Sequence, residues 1–325
     1  MYSLSKLARL GAVLLLAGGA VAGAHAAYPE KPVSLIVPVA PGGGTDFTAR
    51  LLADEMSKKL GQTVVVENQP GGAGNVGVTQ ATRAKPDGYT LVMPITSFPI
   101  NATLYKKLPF DTQKDLTPVA LAATLPLILV VNPQLPAQTL DELITLAKQK
   151  PGTINFANSG VGTTAHLSGE LFKQTTNADI VSVAYKGGGP AVTDLLGGHV
   201  EMYFSTPSAV LPHIEAGKLR ALAVTSKNRL DELPDVPTFV ESGYPDLHIT
   251  AWFGIFAPAG TPDAVVSKLN TVVNEVLQQD NVRQKLATHS FNAEGNMTPD
   301  QLKEFLDMEI NRWGAVIKSL DLSVD

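Results

Sequence analysis

The stretch Val33-Ser-Leu-Ile-Val-Pro-Val-Ala-Pro-Gly-Gly-Gly-Thr-Asp-Phe-Thr-Ala-Arg50 decides how the chain is read. It opens with the aliphatic and β-branched residues of a buried strand. It breaks at Pro41 and three glycines, then restarts as a helix with Thr45 and Asp46 in its first turn. Ala49, Leu52, Ala53, Met56 and Leu60 mark one apolar helical face, and Gly61 is placed to stop the helix. A strand running through glycines into a helix N-terminus aims unpaired N–H groups at one spot. The helix dipole adds partial positive charge there, so the loop suits an anion. A single loop of this kind can also be a bare turn, but here the pattern recurs.

Working outward, Gln62 to Glu67 reads as a second strand, Val76 to Ala84 as a helix and Tyr89 to Met93 as a third strand. This β-α-β-α-β order predicts a parallel sheet covered by helices, with Thr96-Ser97 at the end of the third strand. Val119 to Val131 is a long apolar run containing Pro126, long enough to cross between two lobes, with a hinge expected near Leu125–Leu127. Beyond it, strands are read at Ile154 to Ala157, Ile180 to Tyr185, Val200 to Phe204 and Leu219 to Thr225. Helices begin just after Ser159, Lys186 and Ser205, repeating the opening pattern. His248 to Ala257 is the return crossing, with its hinge expected at Ile249–Phe253. Thr261-Pro-Asp263 and Thr298-Pro-Asp-Gln301 open the last two helices, and Trp313, Val316 and Ile317 are expected to pack the final one onto the first lobe. The layout is 1–26 as a signal peptide, 27–126 as the first part of lobe one, 127–249 as lobe two, and 250–325 completing lobe one.

The first thirty residues differ from the rest. Lys6 and Arg9 precede an apolar run from Leu10 to Val21, and Ala24-His25-Ala26 follows, the grammar of a secretory signal peptide cleaved after Ala26. Among 325 residues there is no cysteine, which excludes disulfides, thiolate chemistry and a lipoprotein anchor. The expectation is a soluble, unanchored periplasmic protein. Losing the two cations Lys6 and Arg9 takes the formal net charge from −5 to −7, which is not the balance of a nucleic-acid binder.

Strand-end loops near Gly42, Gly71, Ser97, Ser159, Lys186 and Ser205 all lie where open α/β sheets bind ligands. Two lobes facing each other would enclose a small anion between opposed helix N-termini. Gly72-Ala-Gly-Asn-Val-Gly77 has dinucleotide-motif spacing but lacks the acidic residue about twenty positions on, so nucleotide binding is disfavoured. His166 and Glu170 are four apart without a second histidine at ligand spacing, which fits a cleft histidine better than a metal site. Ser159 lacks the glycine two positions before it that a nucleophile elbow needs, so a periplasmic hydrolase is the weaker alternative. Asp46 and Arg50 form an i, i+4 pair. No catalytic set, cofactor or metal is implied.

Several motifs now stand in a known order. They are Tyr28-Pro-Glu-Lys-Pro32, Pro41-Gly-Gly-Gly-Thr-Asp46 with Arg50, Val66-Glu-Asn68 with Pro70-Gly-Gly-Ala-Gly74, and Pro86-Asp-Gly-Tyr-Thr90. Ser159-Gly160 with Thr163 and His166, Tyr185-Lys-Gly187, and Ala257-Pro-Ala-Gly-Thr-Pro262 follow. From Tyr28 to its end the chain resembles extracytoplasmic solute receptors of the Bug type, the binding component of tripartite tricarboxylate transporters. The resemblance implies a two-lobed type II periplasmic-binding-protein fold, each lobe a mostly parallel sheet flanked by helices, closing on a carboxylate in the interlobe cleft. It carries a ligand-binding role onto Gly43, Gly44, Thr45, Asp46, Ser159, Gly162, Thr163, Thr164, His166, Gly187 and Gly188, which Ser97 and Thr206 join as strand-end residues. The implied partners are a small organic carboxylate and the cognate integral-membrane transporter subunits, with the receptor a monomer. A sensor kinase as the downstream partner is the alternative. Thr96-Ser-Phe-Pro-Ile100 is more apolar than the resemblance leads one to expect; Phe98 would favour an apolar or aromatic ligand body if it faced the cleft, or it is packed away.

Overall fold

A computed structural model of the chain describes residues 28–324, and the export signal read at 1–26 lies outside the described residues. The first part of the chain forms β1 (Val33–Val37), α1 (Gly44–Leu60), β2 (Val64–Asn68), α2 (Asn75–Thr82), β3 (Thr90–Val92), α3 (Ser97–Leu104) and β4 (Leu116–Pro126). Then come β5 (Ile128–Val131), α4 (Leu140–Gln149), β6 (Ile154–Asn158), α5 (Thr164–Thr176), β7 (Ile180–Ala184), α6 (Gly188–Gly197), β8 (Met202–Ser205), α7 (Pro207–Glu215) and β9 (Arg220–Val224). The chain ends with β10 (Thr250–Pro258), α8 (Asp263–Leu277), α9 (Asp280–Ala287), β11 (Asn292–Ala293) and α10 (Pro299–Ser319). No helix among the described residues is long and apolar enough to cross a membrane.

One sheet runs β11-β4-β10-β3-β1-β2 and the other β7-β6-β8-β5-β9. In the first, β1 pairs in parallel with β2 on one side and β3 on the other; β6 does the same with β7 and β8. The connection leaving β1 therefore goes one way and that leaving β3 the other, and β6 and β8 repeat this. Such a reversal opens a crevice at the carboxyl ends of the strands. The chain builds it twice, once in each lobe. Antiparallel strands complete the sheets, with β10 against β3 and β4, and β5 against β8 and β9.

The apolar stripe of α1 (Ala49, Leu52, Ala53, Met56 and Leu60) is buried against Val33, Leu35 and Val37 of β1 and against α8. Each fully buried leucine or methionine there contributes about 1.5–3 kcal/mol. The long apolar run is divided between the lobes, since β4 belongs to one sheet and β5 to the other, with Leu127 between them. Thr225, fully buried, staples this passage to the return passage. Its hydroxyl accepts from the Leu127 N–H at 2.8 Å and donates to the Ile249 carbonyl at 2.5 Å, while its own backbone pairs with Leu127 and Ile249.

Two expectations are corrected here. Thr96-Ser-Phe98 is no simple strand end, because α3 begins at Ser97. Its proline falls in the first turn, where it is tolerated, and its apolar residues do not keep to one face, so no helical period shows in the sequence. Trp313, Val316 and Ile317 pack onto the first lobe at α3, but not onto that lobe alone. They join Ile100 and Leu104 of α3 in a cluster with Leu129, Leu167 and Phe172 of the second. The helix that carries them has 21 residues, about 31 Å at 1.5 Å per residue. Its start, at Leu302 and Leu306, packs with Trp252 and Phe256, so α10 straps both lobes.

Candidate functional site

The loops leaving β1 and β6 face one another across a cavity of about 240 Å³. On the first-lobe side, α1 starts after Gly43 with no side-chain cap. Helix geometry leaves the N–H groups of Gly44, Thr45 and Asp46 without intrahelical acceptors, and Gly44 and Thr45 line the cavity. Among the described residues, the Thr45 hydroxyl has no hydrogen-bond partner in the structure, although the residue is only 8% exposed.

Asp46 points back into the loop. Its carboxylate accepts from the Gly42 N–H at 3.0 Å, from Arg50 at 3.0 Å and from Asn68 at 2.9 Å, and Arg50 and Asn68 are themselves bonded. Desolvation pushes the carboxyl up, but the hydrogen bonds from Arg50, Gly42 and Asn68 outweigh it and hold the group below the usual range. Asp46 is therefore the clasp of the anion loop and not a wall of the cavity. Asp46→Asn is expected to destabilise the protein at pH 7 by about 1.5–3 kcal/mol. Most of that comes from the Gly42 and Asn68 donors, because Arg50 is 53% exposed and its pairing is screened. With a depressed folded value, Asp46 contributes stability above the ordinary aspartate range and loses it as pH falls through the folded value. Urea unfolding at neutral and acid pH should show the variant's deficit shrinking in acid.

On the second-lobe side, Ser159, Thr163, Thr164 and Ala165 reach the cavity from the start of α5, and Thr206 and Ser208 from the start of α7. Thr163 caps α5. Its hydroxyl donates to the Gly160 carbonyl at 2.7 Å and accepts from the His166 N–H at 3.3 Å, so its single proton is already used. Buried His166 does not line the cavity; its Nδ1 accepts from the Gly162 N–H at 3.3 Å. Burial pushes the imidazole pKa down, with Lys173 adding to the effect and Glu170 opposing it. Glu170 itself pairs with Lys173 at 3.1 Å. Gly162 is a packing position, since its φ is +79° and an added Cβ would lie 2.2 Å from Leu104 of α3. Gly43, Gly187 and Gly188 do not line the cavity, and Lys186 is exposed.

Strand-end reasoning missed much of the rest of the cavity lining. Tyr203, inside β8, lines the cavity, and burial pushes its phenol up, with the Ser159 and Ser205 hydroxyls opposing. Leu127 and Phe253 come from the crossing segments, and Phe291 from the turn before β11. Ser97 lines the cavity as read, but its hydroxyl donates to the Ala73 carbonyl at 2.7 Å. Phe98 is packed away, 2% exposed, between Phe110 and Phe256. Alternation along β10 was the available signal. Once that run is a crossing strand, every second residue faces the cleft.

Residues 48–322 match the model of the "Tripartite tricarboxylate transporter family receptor". The chain is similar to protein BugT of Bordetella pertussis, 41% identical over 318 residues and covering 96% of each chain. Among solved structures it is similar to an R. palustris protein with adipate, with TM-score 0.82, 35% identity, and coverage of 91% of this chain and 99% of that one. It is also similar to MatC from Rhodopseudomonas palustris with bound malate, with TM-score 0.79, 34% identity, and coverage of 89% and 100%.

Proposed function

Since the chain belongs to the tripartite tricarboxylate transporter receptor family, we propose that it captures an organic carboxylate between its lobes and delivers it to integral-membrane transporter subunits. Receptors of this family are solute-binding proteins of the periplasm. We read the export signal at 1–26, cleaved after Ala26, as the route there, and a monomer that binds without transforming its ligand as the working form. The observation that carries the reading is the opposition of uncapped N–H groups at Gly44 and Thr45 to the helix starts at Thr164 and Thr206 across one cavity. Relatives solved with adipate and malate support a carboxylate as the ligand.

The magnitudes suffice. A helix dipole contributes about 0.3–1 kcal/mol, up to about 2 when partly buried, and each hydrogen bond to a charged group about 1.5–3. Micromolar affinity needs about 8 kcal/mol net, so a few such contacts can hold a carboxylate without a cationic side chain. We take Leu127 and Ile249, both stapled to Thr225, as the hinge on which the lobes close.

A thermal-shift screen of the mature chain against small carboxylates identifies a ligand, since a hundredfold excess over Kd adds about 2.7 kcal/mol. Calorimetry with that ligand then separates two threonines. Thr45→Ala removes a hydroxyl with no intramolecular partner, and is expected to weaken binding by about 1.5–3 kcal/mol with little change in unliganded stability. Thr163→Ala removes a helix cap, and is expected to cost about 1 kcal/mol of stability and less in affinity. Wild-type affinity in Thr45→Ala would place the carboxylate away from α1.

A further inference from the structure

The polar and apolar groups of the cavity are segregated. Its hydroxyls come from helix starts and from Tyr203 on the second-lobe side, whereas Ile95, Leu125, Leu127, Phe253 and Phe291 form an apolar wall. The register of β4 and β10 explains the wall, because Ala251 pairs with Leu125 and Phe253 with Ala123, so the same face of both strands turns to the cleft. Backbone groups of those strands are committed to the sheet, so Leu125 and Phe253 present only hydrocarbon to a ligand. The nearest first-lobe hydroxyls are also committed. Thr96 Oγ1 accepts from the Trp252 N–H at 2.8 Å, and Ser97 donates to the Ala73 carbonyl.

Phe291 is held in place. It meets Phe253 edge-on at 5.6 Å, His289 stacks on it at 5.8 Å, and His289 is backed by Phe47 at 4.2 Å. Its tip lies against Gly44, where a Cβ would be 2.5 Å away. The ring therefore reaches from the anion loop to the apolar wall, so a carboxylate on Gly44 and Thr45 brings the next carbons of its ligand onto Phe291.

We propose that this cavity selects carboxylates with an unsubstituted hydrocarbon or aromatic body over hydroxylated acids such as malate, tartrate and citrate. The inference rests on the reading of the cavity as a carboxylate site. A hydroxyl set against the wall loses its water without gaining a partner, which disfavours the hydroxylated member of a matched pair.

The test is titration calorimetry of the mature chain with pairs differing in one hydroxyl, phenylacetate with mandelate and succinate with malate. Wherever a pair binds, the unhydroxylated member is expected to bind about ten- to a hundredfold more tightly. Equal affinity, or a preference for the hydroxylated member, would overturn the inference and leave the carboxylate site standing. Binding of neither member of either pair, nor of adipate, would overturn both together. Phe253→Tyr, close in shape to the native ring, places a hydroxyl on the wall and is expected to narrow the ratio within the pair that binds. An unchanged ratio in that folded variant would overturn the assignment of the wall as the selective element.

Discussion

Gly44→Asp is expected to yield a folded protein that no longer binds its carboxylate, with affinity reduced more than about a hundredfold. The residue opens α1, and its missing side chain leaves room for the tip of Phe291, 2.5 Å from where a Cβ would stand. Any side chain must displace a ring that lines the cavity. An aspartate also sets its own charge at the helix N-terminus, where it takes the dipole and the N–H donors that the ligand would use. The loss of one or two charged hydrogen bonds, at about 1.5–3 kcal/mol each, together with like-charge repulsion, accounts for two decades or more. The fold should tolerate the change, because an acidic residue in the first turn is favourable to the helix. Gly44→Ala separates the causes, since it keeps the clash without the charge and should lose less. Calorimetry on both, with a thermal melt as the control for folding, reads the difference. Binding by Gly44→Asp at wild-type affinity would mean that the α1 N-terminus is not the anion site.

How far the sequence could be read follows from which residues carry local signals. The strand, glycine break and stripe of Val33 to Leu60 each obey a short-range rule, and α1 lies where those rules put it, buried on the face that was read. The capping sequence at Thr298 reports itself in the same way, with Thr298 and Gln301 bonded reciprocally. α3 was not legible, because Phe98, Ile100 and Leu104 are buried without a single apolar face. The partners of Trp313 were not legible either. A stripe shows that a helix face is covered and not by what, and only a helix long enough to reach both lobes settles that.

The candidate site divides along the same line. Gly44, Thr45, Ser159, Thr164 and Thr206 lie in loops whose composition announces them, and they do line the cavity. Tyr203 and Phe253 sit inside strands, and Phe291 follows a helix, so their exposure to the cleft is a consequence of how two lobes meet. Asp46 and His166 announced themselves as polar residues in the right loops, yet their polar atoms bond the loops that carry them. Residue type identified the loop in both cases. Orientation decided what the side chain does there.

Both tryptophans of the chain depend on one buried carboxyl, and removing it is expected to be the most destabilising single change proposed. Glu309, 3% exposed, accepts from the indole N–H of Trp252 at 3.2 Å and of Trp313 at 3.0 Å. It thereby ties β10, a crossing strand, to α10, the helix that straps the lobes. Glu309→Ala leaves two buried donors unpaired beside a void, and is expected to cost about 3–5 kcal/mol, or roughly 5–8 °C in Tm. Burial pushes the Glu309 carboxyl up, with the Trp313 indole, Arg312 and the Trp252 indole opposing. The folded protein thus holds this proton more tightly than the unfolded chain does. Its contribution is fully present below the ordinary glutamate range and is lost as pH rises through the raised folded value. Glu309→Gln keeps an oxygen for the indoles without a charge, so it should remove that loss, and its stability relative to wild type should increase from acid to neutral pH. Urea unfolding followed by tryptophan fluorescence gives the difference between the two proteins at each pH, in which the opposite trend from Asp46 cancels. A difference that stays flat across that range would show that Glu309 titrates alike in the folded and unfolded chains, and the buried carboxyl would then be an acceptor for two indoles with no part in the pH dependence.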